Sequence, residues 1–140
     1  MKKNSIKMIC TILALTFCAS TMIITAEARS SLYIDSRYAS VTGTGNGKIT
    51  VNFDITGTGR MTTIGATKIE IKSSSGSTIK TYKCTDIGYE YMMGSNRTVY
   101  SSSVTYQGVS GNSYYAVVSF KAGNGSGSDT ATYTTLLETA

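Results

Sequence analysis

The sequence predicts an all-β fold, a single antiparallel β-sandwich of about seven strands that follows a signal peptide. Three observations predict it. Apolar and polar residues alternate at a two-residue period in several segments, which is the period of a strand with one buried face. All 14 glycines lie from Gly43 onward, among many serines and threonines, which indicates frequent turns. No segment after the N-terminal leader keeps a helical period.

The first 28 residues predict a cleavable signal peptide. A lysine-rich start precedes an apolar run over residues 8–25, and Ala26–Ala28 supplies the small-x-small pattern that signal peptidase requires. The alternative is an uncleaved membrane anchor, but the run is diluted by hydroxyl residues and ends at a cleavage site. We therefore expect a secreted, extracellular domain over residues 29–140, with no membrane span after cleavage.

The two-residue period places seven strands along this domain. The second and sixth are the clearest, because the apolar residues of Ile49–Ile55 and of Tyr114–Ala122 each share one face. The fourth alternates poorly and carries Lys80 and Lys83, as expected of a charged edge strand. The predicted strands are Tyr38–Gly43, Lys48–Thr56, Thr67–Ser73, Thr78–Cys84, Thr98–Tyr106, Tyr114–Ala122 and Thr130–Leu137.

Clusters of glycine, asparagine and serine mark the turns between these strands. Short strands at this spacing favour a sandwich over a parallel α/β sheet. The predicted turns and loops are Gly45–Gly47, Gly57–Gly59, Ser73–Ser77, Gly94–Asn96, Gly108–Gly111 and Gly123–Ser128.

Missing residue types exclude many common catalytic sites. The chain has no histidine, and only Cys84 remains after the leader, so Ser-His-Asp triads, Cys-His pairs and His- or multi-Cys metal sites cannot be built. We expect Cys84 to be a small buried residue; the alternative is a reactive or intermolecular thiol. We expect no enzyme activity, no cofactor and no metal.

With histidine and multi-cysteine sites excluded, a pair of carboxylates is the one common catalytic arrangement that this sequence could still form. We interpret the candidate carboxylates as solvated surface charge. A glycosidase would need two of them at a defined separation inside a cleft, which a small sandwich rarely has. The segment Gly123–Asp129 offers oxygen ligands for calcium but lacks the density of carboxylates that a site needs, so we expect a mobile loop. The candidate carboxylates are Asp54, Glu70, Asp86 and Glu90.

The charge of the chain does not indicate a nucleic-acid partner. The formal net charge is +5, to which the predicted leader contributes three lysines and one glutamate. The basic residues of the remaining chain are scattered singly, whereas a nucleic-acid binder usually carries a clustered basic stripe.

Part of the sequence resembles a known class of β-sandwich. Within Val104–Ser128, a strand leads into a tight loop, then to Tyr114 and alternating core residues, and then to a loop of Gly, Asn and Ser. This order resembles the E–F–G region of fibronectin type III and related immunoglobulin-like domains. The resemblance implies an immunoglobulin-like sandwich in which Tyr114, at the start of the sixth strand, hydrogen-bonds back to the preceding loop.

Short motifs across the predicted mature chain also resemble a family of small secreted proteins of uncharacterised function from Gram-positive bacteria. The resemblance implies an extracellular β domain and brings no activity with it. The motifs are Ser31–Ile34, Gly45–Val51, Thr56–Met61, Ile64–Ala66, Met92–Gly94 and Val104–Gly123.

The most unusual segment is Gly88–Gly94, together with the nearby Arg97. Two tyrosines two positions apart point the same way if extended, and such rings stack on sugars or anchor protein partners. The alternative is that they cap the open edge of the core. We hypothesise that Tyr89, Tyr91, Met92 and Arg97 bind an extracellular or cell-surface glycan or protein. A secreted antibacterial effector and a structural component of the cell envelope are the alternative functions.

Overall fold

The computed structural model describes residues 31–140, which form one compact unit. The signal peptide predicted over residues 1–28 lies outside the described residues. Residues 31–140 form nine β-strands and one 3₁₀ turn, without an α-helix. None of their elements is a helix long and apolar enough to cross a membrane. The strands are β1 (Ile34–Gly45), β2 (Lys48–Met61), β3 (Thr63–Ser73), β4 (Thr78–Lys83), β5 (Met93–Gly94), β6 (Arg97–Gln107), β7 (Ser113–Asn124), β8 (Gly127–Thr134) and β9 (Glu138–Thr139), and the 3₁₀ turn is Glu90–Met92.

Two antiparallel sheets pack as a sandwich, so the all-β prediction is confirmed. One sheet, called sheet A, has the strand order β1-β2-β6. The other, called sheet B, has the order β4-β3-β7-β8, with β5 beside β3 and β9 beside β7. Each of the seven predicted strands overlaps one of the longer strands. The two additional strands, β5 and β9, have two residues each, which is too short for any alternation to show in the sequence.

The core lies between the sheets and follows the predicted alternation. The alternating apolar residues of both strands are buried, namely Ile49, Val51, Phe53 and Ile55 of β2 and Tyr114, Ala116, Val118, Phe120 and Ala122 of β7. Because successive strand residues point to opposite faces, each sheet directs one apolar face at the other. Phe53 of sheet A meets Phe120 of sheet B edge to face, with ring centroids 6.2 Å apart and an interplanar angle of 67°.

The first predicted turn is confirmed as a two-residue hairpin. Gly45 pairs with Lys48, and the two residues between them, Asn46 and Gly47, have positive φ angles of 54° and 79°. Positive φ at both central residues is the geometry that matches the right-handed twist of paired strands.

The predicted turn at Gly57–Gly59 is wrong, because β2 continues through it to Met61. Gly57 is paired with Ile34 of β1, and Met61 is buried. The pairing of β2 with β6 is irregular between Thr56 and Met61, so the glycines mark a distortion within a strand rather than its end. Thr62 alone separates β2 in sheet A from β3 in sheet B.

The predicted loop Gly123–Asp129 is also wrong, because β7 and β8 form a tight hairpin there. Asn124 pairs with Gly127, and the Asn124 side chain accepts a hydrogen bond from the backbone N–H of Ser126 at 2.9 Å. Asp129 lies within β8, and its carboxylate is directed at residues 31–33. Its Oδ2 atom accepts hydrogen bonds from Ser31 Oγ and from the backbone N–H groups of Leu32 and Tyr33, at 2.7, 2.6 and 3.0 Å.

The hydroxyl of Tyr114 hydrogen-bonds to the loop before β7, as the resemblance implies. The backbone N–H of Val109 donates to Tyr114 Oη at 3.0 Å. The ring also packs edge to face against Tyr106, with centroids 5.7 Å apart. The loop passes so close to the ring that a Cβ atom on Gly108 would lie 2.8 Å from it, which explains a glycine at this position.

Candidate functional site

The predicted site lies where the two sheets meet along one side of the sandwich. β4 is an edge strand of sheet B, as predicted, and β6 is an edge strand of sheet A. Tyr82 of β4 donates from its hydroxyl to the carbonyl of Thr105 in β6 at 3.3 Å. The edges of β4 and β6 therefore lie on the same side of the molecule, and the segment that contains the 3₁₀ turn joins them.

Four tyrosines line this side, and we call Tyr82, Tyr89, Tyr91 and Tyr100 the tyrosine edge. The rings of Tyr82 and Tyr89 are 4.9 Å apart, and those of Tyr89 and Tyr91 are 6.1 Å apart. Tyr100 joins the row through its hydroxyl, which donates to the carbonyl of Tyr91. The tyrosine edge is thus a row of three neighbouring rings to which Tyr100 is joined by a hydrogen bond.

Local hydrogen bonds hold the segment between β4 and β5 in a non-extended conformation. Asp86 accepts a hydrogen bond from the backbone N–H of Lys83 at 2.9 Å, and Glu90 accepts one from that of Gly88 at 2.9 Å. The backbone N–H of Met92 then donates to the carbonyl of Tyr89 at 3.0 Å, closing the 3₁₀ turn. The sequence interpretation placed Tyr89 and Tyr91 on one side of an extended segment. The segment forms a 3₁₀ turn instead, and the two rings are nevertheless neighbours.

Gly65 of β3 allows this segment to approach sheet B. Its φ angle is 152°, and a Cβ atom there would collide with the carbonyl oxygen of Met92. Gly65 is paired with Met93 in the short β3–β5 ladder, which places the 3₁₀ turn against the end of the core. A residue with a side chain at position 65 would therefore displace the turn and the tyrosines on it.

The structure places the four predicted site residues in different surroundings. Tyr91 is 45% exposed, Tyr89 is half-buried and packs against the core, and Arg97 is exposed. Met92 is fully buried, so its side chain packs in the core and does not reach the surface. Met92 and Tyr89 therefore cover the core, whereas Tyr91 and Arg97 face solvent.

A cation lies over a ring at each end of the tyrosine edge. The Arg97 guanidinium carbon is 5.7 Å from the centroid of Tyr100, and Lys80 Nζ is 5.6 Å from that of Tyr82. Both distances are within the range of cation–π attraction. Sequence reasoning missed Lys80, Tyr82 and Tyr100. Lys80 and Tyr82 are two residues apart in a strand, and this spacing indicates that they share a face. Because apolar and polar residues alternate poorly in β4, we did not infer this shared face from the sequence.

The pKa values of two hydroxyls in the tyrosine edge, those of Tyr82 and Tyr91, are raised. Burial raises the pKa of Tyr82 to about 12, with further contributions from Tyr89, Tyr106 and Tyr91. Burial also raises the pKa of Tyr91, and the nearby Tyr89 and Tyr100 raise it further by smaller amounts. At neutral pH these groups are therefore hydrogen-bond donors rather than phenolate bases.

Each of the candidate carboxylates has a partner of its own in the fold. Asp54 of sheet A accepts a hydrogen bond from Ser101, and Glu70 of sheet B lies 3.3 Å from Lys68. Asp86 and Glu90 are used in the backbone turns described above. Over residues 31–140, no group of three His, Cys, Asp or Glu side chains could hold a metal ion. Cys84 is a free, half-buried cysteine that packs against the core, so it is less buried than predicted.

Comparison of the chain with protein-family models, with curated proteins and with solved structures gave no match. The interpretation of the tyrosine edge therefore depends on its own geometry.

Proposed function

We propose that the protein is a secreted, non-enzymatic module that binds an extracellular or cell-surface glycan or protein through the tyrosine edge. The observation that carries this proposal is the exposure of Tyr91, whose ring lies 6.1 Å from that of Tyr89 in a tyrosine edge with a cation at each end. Export is inferred from the leader described in the sequence, and the absence of histidine supports a binding role over a catalytic one.

The chemistry of the tyrosine edge suits contact with a partner. A tyrosine ring presents a large apolar surface at a low cost in side-chain entropy, and its hydroxyl adds a polar contact. Arginine and tyrosine together are the residue types that carry most binding energy at protein interfaces. Because Tyr89 is fixed against the core by Tyr82 and the 3₁₀ turn, the surface is preorganised and loses little conformational freedom on binding.

We also propose that the sandwich is immunoglobulin-like, of the fibronectin type III kind, and related to the secreted Gram-positive family that its motifs resemble. Two observations support this. The first, second and sixth strands form one sheet, while the third, fourth, seventh and eighth form the other. Tyr114 at the start of β7 accepts a hydrogen bond from the loop that precedes it, as a tyrosine corner does.

The binding proposal is tested with the predicted mature chain, residues 29–140, immobilised and screened against cell-wall glycans, host glycans and culture proteins. We expect Tyr91→Ala with Arg97→Ala to weaken any detected interaction at least about tenfold, which corresponds to the loss of about 1.4 kcal/mol of binding free energy.

Tyr38→Ala is the matched control for this test, because Tyr38 is an exposed tyrosine on β1, which is not part of the tyrosine edge. An interaction that survives the double substitution but is lost in the control would contradict the assignment of the site.

A further inference from the structure

A cleft lies at one end of the sandwich, between the hairpin that joins β3 to β4 and the loop that joins β6 to β7. We call it the end cleft. Its volume is about 530 Å³, which lies within the range of roughly 300–1,000 Å³ that small-molecule sites have. None of the four tyrosines of the tyrosine edge lines it, so the two sites are separate.

A β-bulge directs Ile79 into the end cleft. In the ladder between β3 and β4, the partners of Ile71 and Lys72 are Lys80 and Thr78, so Ile79 is an extra residue of β4 without a partner. Strict alternation would place this side chain on the outer face of sheet B, because Lys80 is paired with a core-facing residue. The bulge turns it to the end cleft, where it is 47% exposed. β4 therefore contributes an aliphatic wall.

Val109 forms the opposite wall, and the loop that carries it is fixed at both ends. Its backbone N–H donates to Tyr114 Oη at 3.0 Å, and its carbonyl accepts from the backbone N–H of Asn112 at 3.1 Å. Gly111 completes this turn with a φ angle of 83°, which a glycine adopts without strain. The side chain of Val109 is nevertheless 62% exposed. The end cleft is therefore formed by backbone that needs no rearrangement to receive a ligand.

Aromatic surface and a few polar groups complete the lining. The rings of Tyr106 and Tyr114 meet edge to face, with centroids 5.7 Å apart, and both line the end cleft. Ser74 and Asn112 are exposed and add a hydroxyl and a carboxamide. Apolar walls with a small number of polar groups are the usual composition of a small-molecule site.

The end cleft is uncharged. None of the described residues that line it is ionisable apart from its two tyrosines, which are neutral at neutral pH. Lys80 follows Ile79 directly, but its Nζ atom lies over the ring of Tyr82, 5.6 Å from the centroid. A charged ligand would lose its hydration in the end cleft without gaining an opposite charge, which is unfavourable. The lining therefore favours an uncharged ligand.

We propose that the end cleft binds a small uncharged molecule that carries an aromatic or aliphatic ring and at least one hydroxyl or carbonyl group. The ring packs between Ile79 and Val109, against Tyr106, and the polar group hydrogen-bonds with Asn112. This site does not depend on the tyrosine edge, and each can be tested without the other.

Two probes with the same ring system test the proposal. 2-Naphthol is uncharged at neutral pH, whereas 2-naphthoate carries a carboxylate. Each is titrated into the predicted mature chain, residues 29–140, and the amide chemical shifts are followed by NMR. We expect 2-naphthol to cause saturable shifts at Ile79, Val109 and Asn112, and 2-naphthoate to bind at least about tenfold more weakly.

One substitution on each wall locates the bound probe. We expect Ile79→Asp and Val109→Asp each to raise the dissociation constant of 2-naphthol at least about tenfold, because each sets a carboxylate in the uncharged cleft. Ile87→Asp is the matched control, since Ile87 is 97% exposed and lies in the segment between β4 and β5, so the affinity is expected to be unchanged. Circular dichroism checks that each variant retains the fold.

Four outcomes would overturn the proposal. They are the absence of saturable shifts at the end cleft, shifts that concentrate on the tyrosine edge instead, equal affinity for the two probes, and binding of 2-naphthol that survives both wall substitutions.

Discussion

Tyr114 shows how a single hydroxyl can fix a loop. It is almost completely buried, yet its hydroxyl reaches the backbone of the loop before β7. The same ring contacts Tyr106 and leaves no space for a side chain on Gly108. One residue therefore connects the end of β6, the loop and the start of β7.

Removal of this hydroxyl provides a test at the scale of one residue. We expect Tyr114→Phe to lower the free energy of unfolding by about 1–3 kcal/mol, because the N–H of Val109 loses its partner in a part-buried position. The measurement is urea denaturation followed by circular dichroism. Tyr115→Phe, on the opposite face of β7, is expected to change stability by less than about 0.5 kcal/mol.

In the irregular segment between β4 and β5, the sequence does not show which side chains are buried. The two methionines, Met92 and Met93, are adjacent in the sequence, and only the structure shows that Met92 is buried. A segment with a strand or helix period reveals its buried face, but the turn between β4 and β5 has neither period. The sequence could therefore indicate Tyr89 and Tyr91 as unusual, but not which neighbouring side chain reaches solvent.

At the scale of elements, the alternation in the sequence was sufficient to predict the buried faces of β2 and β7, but not the residues at which these strands end. The core-facing residues Ile49 to Ile55 alternate strictly, and their burial follows from the strand period alone. Glycine has two roles that a sequence does not distinguish, a turn or a distortion within a strand. At Asn46–Gly47 it forms the turn, whereas at Gly57–Gly59 the strand continues. Long-range pairing decides between these roles.

Asp129 provides a prediction for the start of the described chain. The hydrogen bond from Ser31, together with those from the backbone of Tyr33 and Leu32, lowers the pKa of this carboxyl below its ordinary 3.8. A carboxyl whose pKa is lower in the folded state stabilises the fold above its unfolded pKa, and this contribution is lost as the pH falls through the folded pKa. We therefore expect the segment Ser31–Tyr33 to be held less firmly to β8 as the pH falls below 3.8, the ordinary pKa of the carboxyl, and to detach only when the pH falls through the lower pKa of the folded state.

Hydrogen exchange of the Leu32 and Tyr33 amides measures this detachment. In the wild-type chain their protection is expected to fall at acid pH, whereas in Asp129→Asn it is expected to be low already at neutral pH. Asp35→Asn is the control. Asp35 lies at the start of β1, two residues after Tyr33, and accepts none of these hydrogen bonds. Equal protection in Asp129→Asn and the wild type would show that the carboxylate does not hold the segment.

At the scale of the whole molecule, the two sheets are held together mainly by burial of their facing side chains. Phe53 and Phe120 are the largest of the fully buried side chains, and they meet across the interface between the sheets. We expect Phe120→Ala to lower the free energy of unfolding by about 3–5 kcal/mol, because it removes a large side chain and leaves a cavity.

A double-mutant cycle separates the ring contact from the cavity. The coupling between Phe53→Leu and Phe120→Leu is expected to be about 0.5–1.5 kcal/mol, the usual value of an edge-to-face pair. Val99→Ala is the surface control, since Val99 is 51% exposed, and it is expected to change stability by about 0.5 kcal/mol or less. A coupling near zero would mean that the two rings contribute independently.

The passage of the chain from one sheet to the other through Thr62 has a mechanical consequence. With a single residue as the link, β2 and β3 act as one ribbon that belongs to both layers. Neither layer can slide over the other unless the ribbon bends or its pairing on both sides is broken. The edges of β4 and β6, which the Tyr82 hydroxyl joins, belong to these two layers, so the tyrosine edge between them has a fixed shape.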